Sequence, residues 1–242
     1  ADIISTVSET YADEIQTEEY GYGFDGIIRA GKDRLRGIIN GIDYEANNPE
    51  TDKRIDVNYS ADNAEAKKEN KRLLQERLGL EQRGVPMICM ISRLADQKGL
   101  DILANAMERL MQNDIQFVIL GTGEKRYEDM FRYYENRWKG RFCSCIMFDD
   151  TLAQKIYASG DMFLMPSRFE PCGLGQMFSL RYGTVPVVRK TGGLSDSVEQ
   201  FNGENGTGNG FLFETYDAEG ILWAVGEALK IYADTDKWNT LV

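Results

Sequence analysis

Asp161-Met-Phe-Leu-Met-Pro166 is followed directly by Ser167-Arg-Phe-Glu-Pro-Cys-Gly-Leu-Gly-Gln176. The first run is apolar and has the length of a buried strand, and the helical spacing that begins at Gly175 stops at Gly183. The sequence therefore predicts that Glu170 and several glycine-freed backbone amides lie at a strand-to-helix junction. A helix that begins there has unpaired N–H groups and a positive dipole end, which together favour an anion.

A second junction of the same kind lies upstream, in Ser92-Arg-Leu-Ala-Asp-Gln-Lys-Gly99. Arg93 and Lys98 follow one apolar run and precede a segment of helical period. They form either a diphosphate clamp, with a planar guanidinium fork and an ammonium point charge, or two solvated cations on an acidic protein. Their place at the carboxyl end of a predicted strand favours the clamp.

Short apolar runs alternate with segments of helical period from Val85 onward. Strands are predicted at Pro86–Ser92, Gln116–Leu120, Phe142–Phe148, Met162–Pro166, Val185–Val188 and Gly210–Phe213. Between them, Leu100–Met111 and Glu124–Trp138 have the spacing of amphipathic helices. This alternation predicts an α/β fold with a Rossmann-like parallel sheet and helices on both faces. Ligands of such sheets bind beyond the carboxyl ends of the strands, where both junctions lie.

The first part of the chain has a different pattern. Asp2–Val7 has the character of a strand, and Ser8-Glu-Thr10 is typical of a helix start before Tyr11–Ile15. We interpret residues 1–41 as the last βα unit of a preceding domain with its linker, and residues 42–242 as a nucleotide-sugar-binding Rossmann-like domain. Both ends of the sequence suggest a segment of a longer protein.

The composition excludes several classes of function. The 242 residues carry a net charge of −11 and no histidine. The acidic balance argues against a nucleic-acid partner, and the absence of histidine excludes a Ser-His or Cys-His nucleophile pair and a His-ligated zinc within this chain. The cysteines show no metal-ligand spacing, and no apolar run approaches the roughly 18 residues of a membrane helix. We expect a cytoplasmic location, no metal and no membrane partner.

Three further positions leave alternatives open. Gly121-Thr122-Gly123 follows a strand and precedes a helix, either as a tight turn that admits a nucleotide or as a plain loop. It lacks the third glycine of a dinucleotide fingerprint because Arg126 stands there, which argues against an NAD-dependent dehydrogenase. Phe148 either stacks on a nucleobase or packs in the core. Glu170 is either a solvated carboxylate or a group that holds sugar hydroxyls and stabilises developing positive charge.

Several blocks of the sequence resemble bacterial glycogen synthases and plant starch synthases, in the order found there. They are Asn40-Gly-Ile-Asp43, Ser92–Gly99, Gly121-Thr-Gly123, Ser167-Arg-Phe-Glu-Pro-Cys-Gly-Leu174 and Arg189-Lys-Thr-Gly-Gly-Leu194. Thr6-Val-Ser8 with Tyr11-Ala12 extends the resemblance over nearly the whole chain, and the Glu-Pro-Cys-Gly-Leu block is the most specific part. The resemblance implies a GT-B arrangement, in which two Rossmann-like domains face across a cleft and this chain is the C-terminal, donor-binding one.

The resemblance also implies a reaction. That family transfers glucose from ADP-glucose to the non-reducing end of an α-1,4-glucan, with retention of configuration and without a metal or other cofactor. By this resemblance Arg93 and Lys98 hold the diphosphate and stabilise departing ADP, and Glu170 contacts the donor glucose. The remaining donor-binding positions that it implies are the turn at Gly121 and Thr122, Phe148 against adenine, Asn40 at the glucose, the amides of Cys172 and Gly173 at the sugar hydroxyls, and the amides of Leu174 and Gly175 at the phosphates.

The sequence departs from the family pattern in several ways. Related retaining transferases carry a second glutamate where Phe178 stands here, so a carboxylate for the ribose is absent. A Lys-x-Gly-Gly loop and a histidine near the reacting centre, both on the N-terminal domain, have no counterpart. We therefore expect the chain alone to be essentially inactive and to need that domain as a partner. The alternatives are a transferase that uses another sugar nucleotide and a non-catalytic nucleotide- or glucan-binding module.

Overall fold

The computed structural model describes residues 2–242, which form two separate parallel sheets and ten α-helices. The strands are β1 (Ile4–Thr6), β2 (Leu35–Gly37), β3 (Met87–Ile91), β4 (Gln116–Leu120), β5 (Phe142–Cys145), β6 (Met162–Met165), β7 (Val185–Arg189) and β8 (Phe211–Phe213). The helices are α1 (Glu9–Glu14), α2 (Asp25–Ala30), α3 (Ala66–Leu78), α4 (Leu100–Leu110), α5 (Lys125–Arg137), α6 (Asp150–Ser159), α7 (Gly175–Arg181), α8 (Gly192–Ser197), α9 (Ala218–Tyr232) and α10 (Thr235–Leu241). No helix within residues 2–242 is long and apolar enough to cross a membrane.

The larger sheet has six parallel strands in the order β5-β4-β3-β6-β7-β8. The chain builds outward from β3 to β5 and then returns to place β6 on the other side of β3, where Cys89 pairs with Phe163. Such a reversal of strand order opens a crevice at the carboxyl ends of the two central strands. The predicted α/β fold with a parallel sheet is confirmed.

Helices cover both faces of this sheet because the strands are apolar on both sides. Ile88 and Met90 of β3 pack into one core with α4, α5 and α9, whereas Met87 and Cys89 pack into a second core with α3 and α6. Alternate residues of a strand point to opposite faces, so a continuous apolar run serves both cores. The prediction of helices on both faces is therefore confirmed as well.

The strand predicted at Phe142–Phe148 is too long. β5 ends at Cys145 because Met147 N donates to Cys145 O over 2.9 Å, which turns the chain away from the ladder. Asp149 then caps α6 by accepting from Leu152 N. Phe148 consequently lies in a loop and is 94% exposed, so the core-packing alternative for this residue is wrong.

The smaller sheet belongs to the first 41 residues. β1 pairs in parallel with β2, and α1 packs against α8 of the larger part, where Thr10 N donates to the Asp196 carboxylate over 3.2 Å. Ile3, Phe24 and Ile27 are each more than 60% exposed in this unit. Its boundary with the following domain near residue 42 stays a prediction.

Lys67 is a buried cation at the amino-terminal end of the sheet, and it predicts a pH dependence of stability. Its Nζ donates to Tyr157 O, Tyr182 O and Thr184 Oγ1 over 2.8–3.0 Å, and burial lowers the pKa of Lys67 to about 7. Between pH 7 and the ordinary lysine pKa the unfolded chain therefore holds a proton that the folded chain has lost. The free energy of unfolding should rise with pH in this window, by up to about 1.4 kcal/mol per pH unit.

Urea unfolding from pH 7 to pH 9 of the wild type and of Lys67→Met tests this. Both proteins share every other titrating group, so the difference between their two profiles isolates Lys67. We expect the wild-type profile to climb more steeply. Parallel profiles would contradict the assignment of a depressed lysine pKa.

Candidate active site

A cavity of about 420 Å³ opens at the carboxyl ends of β3 and β6. The two predicted junctions form opposite walls of it, because β3 leads into Ser92–Gly99 and β6 leads into Ser167–Gly175. Its lining includes six of the predicted site residues, namely Arg93, Lys98, Glu170, Gly173, Leu174 and Gly175. The fold thus brings residues about 75 positions apart in sequence to one place.

Glu170 lines this cavity, and its carboxylate is paired with Lys98. Lys98 Nζ lies 2.6 Å from Glu170 Oε2, and Ser167 Oγ donates to the same oxygen over 3.0 Å. The Glu170 side chain is only 9% exposed, and the cation and the hydroxyl donor offset the cost of burying its carboxylate. Among the described residues no donor uses Oε1, which leaves that oxygen for a ligand. The solvated alternative for Glu170 is therefore wrong.

The turn before α7 supplies backbone donors to the same cavity. Within the described chain the N–H groups of Gly173, Leu174 and Gly175 donate to no protein acceptor. The turn is held by Gln176, whose Nε2 donates to Cys172 O and Gly173 O over 3.1 and 2.9 Å. Free N–H groups that line a cavity at the start of a helix are suited to an anion.

Gln97 links the two walls of the cavity. Its Oε1 accepts from Arg93 Nη2 over 3.3 Å, its Nε2 donates to Phe169 O, and its backbone oxygen accepts from Arg168 N over 2.8 Å. Gln97 was not among the predicted site residues, although it lies within the motif that contains Arg93 and Lys98. The feature that could have indicated its role is its position between the two cations, on the short helical turn Asp96–Lys98.

Asp96 stands between the two cations in sequence but does not neutralise them. Its carboxylate accepts hydrogen bonds from the Tyr127 hydroxyl and from Arg126, and these hold the pKa of Asp96 below its usual value. Because the Asp96 carboxylate is bonded to residues of α5, Glu170 is the carboxylate that offsets the two cations, and the three side chains carry a net charge of +1 toward the cavity.

The contact between the walls depends on a glycine. Gly99 has φ +69°, and a Cβ at this position would lie 1.9 Å from Pro166 O. We expect Gly99→Ala to lower the free energy of unfolding by about 2–4 kcal/mol, because the backbone of one wall must move away from the other. Urea denaturation measures this.

The matched control for that substitution is Gly226→Ala in the interior of α9. A Cβ there meets no atom within 4 Å, so this change should raise the free energy of unfolding by about 0.5–1 kcal/mol. Equal stability of Gly99→Ala and the wild type would show that the two walls do not need this close approach.

The start of α8 contacts the backbone at Glu170. Gly193 N donates to Glu170 O over 3.0 Å, and Glu14 Oε1 accepts from Thr191 Oγ1 and Gly192 N over 2.8 and 2.9 Å. The first 41 residues therefore contact the loop that positions Glu170. Glu14 was not among the predicted site residues, since a glutamate near the end of a short helix gives no sign of a partner 178 residues away.

The Gly121–Thr122 turn lies beside the Arg93 wall. A Cβ at Gly121 would lie 1.8 Å from Ser92 O, and Leu94 N donates to Thr122 O over 2.9 Å. Glycine is therefore required for the close approach of the two loops, which favours the tight-turn alternative. Whether a nucleotide lies against it stays a prediction.

The other predicted positions do not line the cavity. Asn40 lines a different cavity of about 590 Å³, together with Tyr44 and Arg181. Cys172 is buried, 7% exposed, and Phe148 projects from the loop after β5, two strands from β3. The structure thus groups the diphosphate and glucose candidates in one cavity and leaves Asn40 and Phe148 outside it.

Comparison with known proteins places this site in a family. The family model of the glycosyl transferases group 1 matches residues 74–240, which include both walls of the cavity. The chain belongs to this family. The model of the starch synthase catalytic domain matches residues 1–30 of this group 1 glycosyl transferase, which carry β1 and α1.

Several curated relatives of this group 1 glycosyl transferase are glycogen synthases. It is 56% identical over 242 residues to that of Fervidobacterium nodosum and 57% identical to that of Kosmotoga olearia, in each case over all of this chain and 50% or 51% of the relative. The catalytic domain of starch synthase IV from Arabidopsis thaliana, bound to ADP and acarbose, superposes with a TM-score of 0.93 at 37% identity, over 100% of this chain and 51% of that one. The chain spans about half the length of its relatives, and the resemblance to glycogen and starch synthases is confirmed.

Proposed function

We propose that this chain is the donor-binding part of a glycogen synthase, which transfers glucose from ADP-glucose to the non-reducing end of an α-1,4-glucan with retention. The observation that carries the proposal is the single cavity shared by Arg93, Lys98, Glu170 and the free amides before α7. The presence of ADP and acarbose on the similar starch synthase supports both the nucleotide and the glucan.

In this proposal the two cations receive the diphosphate. Arg93 offers a planar pair of N–H donors, and Lys98 offers a compact charge with three donors. When the bond between the glucose C1 and the phosphate breaks, negative charge develops on ADP next to these groups and the amides of Leu174 and Gly175. Loss of one such stabilising contact typically costs about 2.7–4 kcal/mol in the barrier.

Glu170 acts on the sugar side of the same bond. Lys98 and Ser167 occupy its Oε2, so Oε1 is the acceptor for a hydroxyl of the donor glucose. A carboxylate fixed there also stabilises the positive charge that develops on the glucose ring as ADP leaves. Lys98 therefore joins the two functions, since its remaining donors reach the phosphate while it stays paired with Glu170.

The acceptor glucan requires a facing domain, which we propose is supplied by the half of the relatives that this chain does not match. Holding acceptor and donor together is worth about 7–11 kcal/mol of the barrier. We therefore expect the chain alone to bind the donor nucleotide and to transfer glucose at a negligible rate. Phe148 and Asn40 keep their proposed contacts, with adenine and glucose, as part of this assembled cleft.

Isothermal titration of the chain with ADP, UDP and GDP tests the proposal. We expect saturable binding of ADP, and weaker binding of UDP and GDP. A clear preference for UDP would mean that the donor is a UDP-sugar and not ADP-glucose. A folded chain that binds none of the three would contradict a donor site in this cavity.

A further inference from the structure

Trp223 lies on the outer side of α9, next to the edge strand β8, and is 55% exposed. The opposite side of this helix is buried through Ile221, Ala224 and Val225, so the exposure of the tryptophan is not a consequence of a loosely packed helix. Single exposed apolar side chains are common on protein surfaces and need no function. The surroundings of Trp223 are what distinguish it.

Trp223 forms one side of a cavity of about 550 Å³ between β8 and α9. This volume falls within the range of small-molecule sites, which combine an apolar surface with a few polar groups that fix orientation. The polar side chains that line it are those of Lys190, Gln200, Glu214, Thr215 and Glu219. An indole ring bordered by donors and acceptors offers a surface for the apolar face of a sugar ring and partners for its hydroxyls.

One cation and two carboxylates line this cavity, and each is paired with an opposite charge. Lys190 Nζ lies 3.0 Å from Glu214 Oε1, and Glu219 is paired with Arg109. A nucleotide or an acidic peptide would need a surplus of cations, and a basic ligand would need a surplus of carboxylates. A neutral polyhydroxyl ligand needs neither, and paired carboxylates and ammonium groups still have free acceptor and donor positions for hydroxyls.

The cavity lies on the same edge of the sheet as the donor site. Lys190 and Glu214 directly follow the carboxyl ends of β7 and β8, and Arg189 Nη1 donates to Arg168 O, two residues before Glu170. A chain bound at Trp223 therefore lies on the side of the molecule where glucose is transferred in the proposed function.

We propose that the cavity at Trp223 is a second carbohydrate site, separate from the donor cavity, that binds a segment of a neutral α-glucan chain. The inference rests on the proposed function for the choice of an α-glucan among neutral carbohydrates. Such a site would bind a glucan independently of the nucleotide.

Titration of the chain with maltoheptaose, followed by calorimetry and by tryptophan fluorescence, tests the inference. We expect saturable binding with a change in emission, since Trp223 is the most exposed of the three tryptophans. Trp223→Ala should lower the affinity at least about tenfold and leave ADP affinity unchanged. Trp223→Phe should keep the affinity within about threefold while the emission change disappears, because an aromatic ring remains.

Tyr133→Ala is the matched control, since Tyr133 on α5 is 56% exposed and lies outside this cavity. Its affinity for maltoheptaose should equal that of the wild type. If Trp223→Ala binds maltoheptaose as tightly as the wild type, the inference is overturned. It is also overturned if a chain that binds ADP shows no saturable binding of maltoheptaose, and neither result counts against the proposed donor site. Binding that depends on Trp223 in a chain that does not bind ADP would support the carbohydrate site and count against the proposed donor site.

Discussion

Lys98→Met and Arg93→Ala are each expected to lower the affinity of the chain for ADP by about 10- to 100-fold. Hydrogen bonds to charged groups contribute about 1.5–3 kcal/mol, and every 1.4 kcal/mol corresponds to a factor of ten in the dissociation constant. Both cations line the cavity, and the Asp96 carboxylate is bonded to Tyr127 and Arg126, so Glu170 alone among the lining residues offsets their charge. Isothermal titration at fixed ionic strength measures the effect.

Lys125→Met is the matched control for this loss, because Lys125 is an 84% exposed lysine on α5 that lies outside the cavity. It should leave the affinity unchanged. Wild-type affinity should also fall as salt is raised, and the Lys98 variant should respond less, since it has lost one of the screened charges. Equal ADP affinity of the wild type and both site variants would contradict the diphosphate clamp.

Removal of Glu170 alone is expected to destabilise the fold more than removal of the whole Glu170–Lys98 pair. Breaking a buried ion pair typically costs about 3–5 kcal/mol, and we expect Glu170→Met to fall near 3 kcal/mol because Lys98 keeps 18% exposure. The double variant Lys98→Met/Glu170→Met should recover most of this loss, because two apolar chains of similar length leave no unpaired charge. Urea unfolding of both single variants and the double variant gives the coupling energy.

The exposed pair of Lys230 and Glu227 serves as the reference for that cycle. Its side chains are 72% and 36% exposed, so its coupling energy should be only about 0–0.5 kcal/mol. Titrations of the same proteins separate stability from binding. Glu170→Met should keep ADP affinity within about threefold, since Glu170 contacts the sugar in the proposed function. A coupling energy as small as that of the reference pair would show that Lys98 does not hold Glu170 in place.

The sheet was predictable because its strands are buried on both faces. β4 was predicted with both ends correct, since Phe117–Leu120 is apolar and both of the strand's neighbours along the chain are turns. β5 was predicted too long because Ile146, Met147 and Phe148 continue the apolar pattern. The bond from Met147 N to Cys145 O ends that strand, and Asp149 then caps α6. Both contacts are local, but neither interrupts the apolar pattern on which the strand prediction rested.

The grouping of the candidate site was predictable to a similar degree. Arg93, Lys98 and Glu170 each follow a parallel strand, and the carboxyl ends of parallel strands share an edge, so their meeting follows from the fold class. The contact of Glu14 with Gly192 was not predictable, because it depends on how the first unit packs against α8. The separate placement of Asn40 was not predictable either. Residues 38–43 form neither a strand nor a helix, and such a segment carries no periodic signal in the sequence.

A crystal structure of the chain with bound ADP would show directly whether this cavity is the donor site. We expect the phosphates to lie within hydrogen-bond distance of the Arg93 guanidinium, Lys98 Nζ and the amides of Leu174 and Gly175, with Glu170 beside the terminal phosphate. Phosphates that lie outside the cavity shared by these residues, or that contact only one of its two walls, would contradict this expectation.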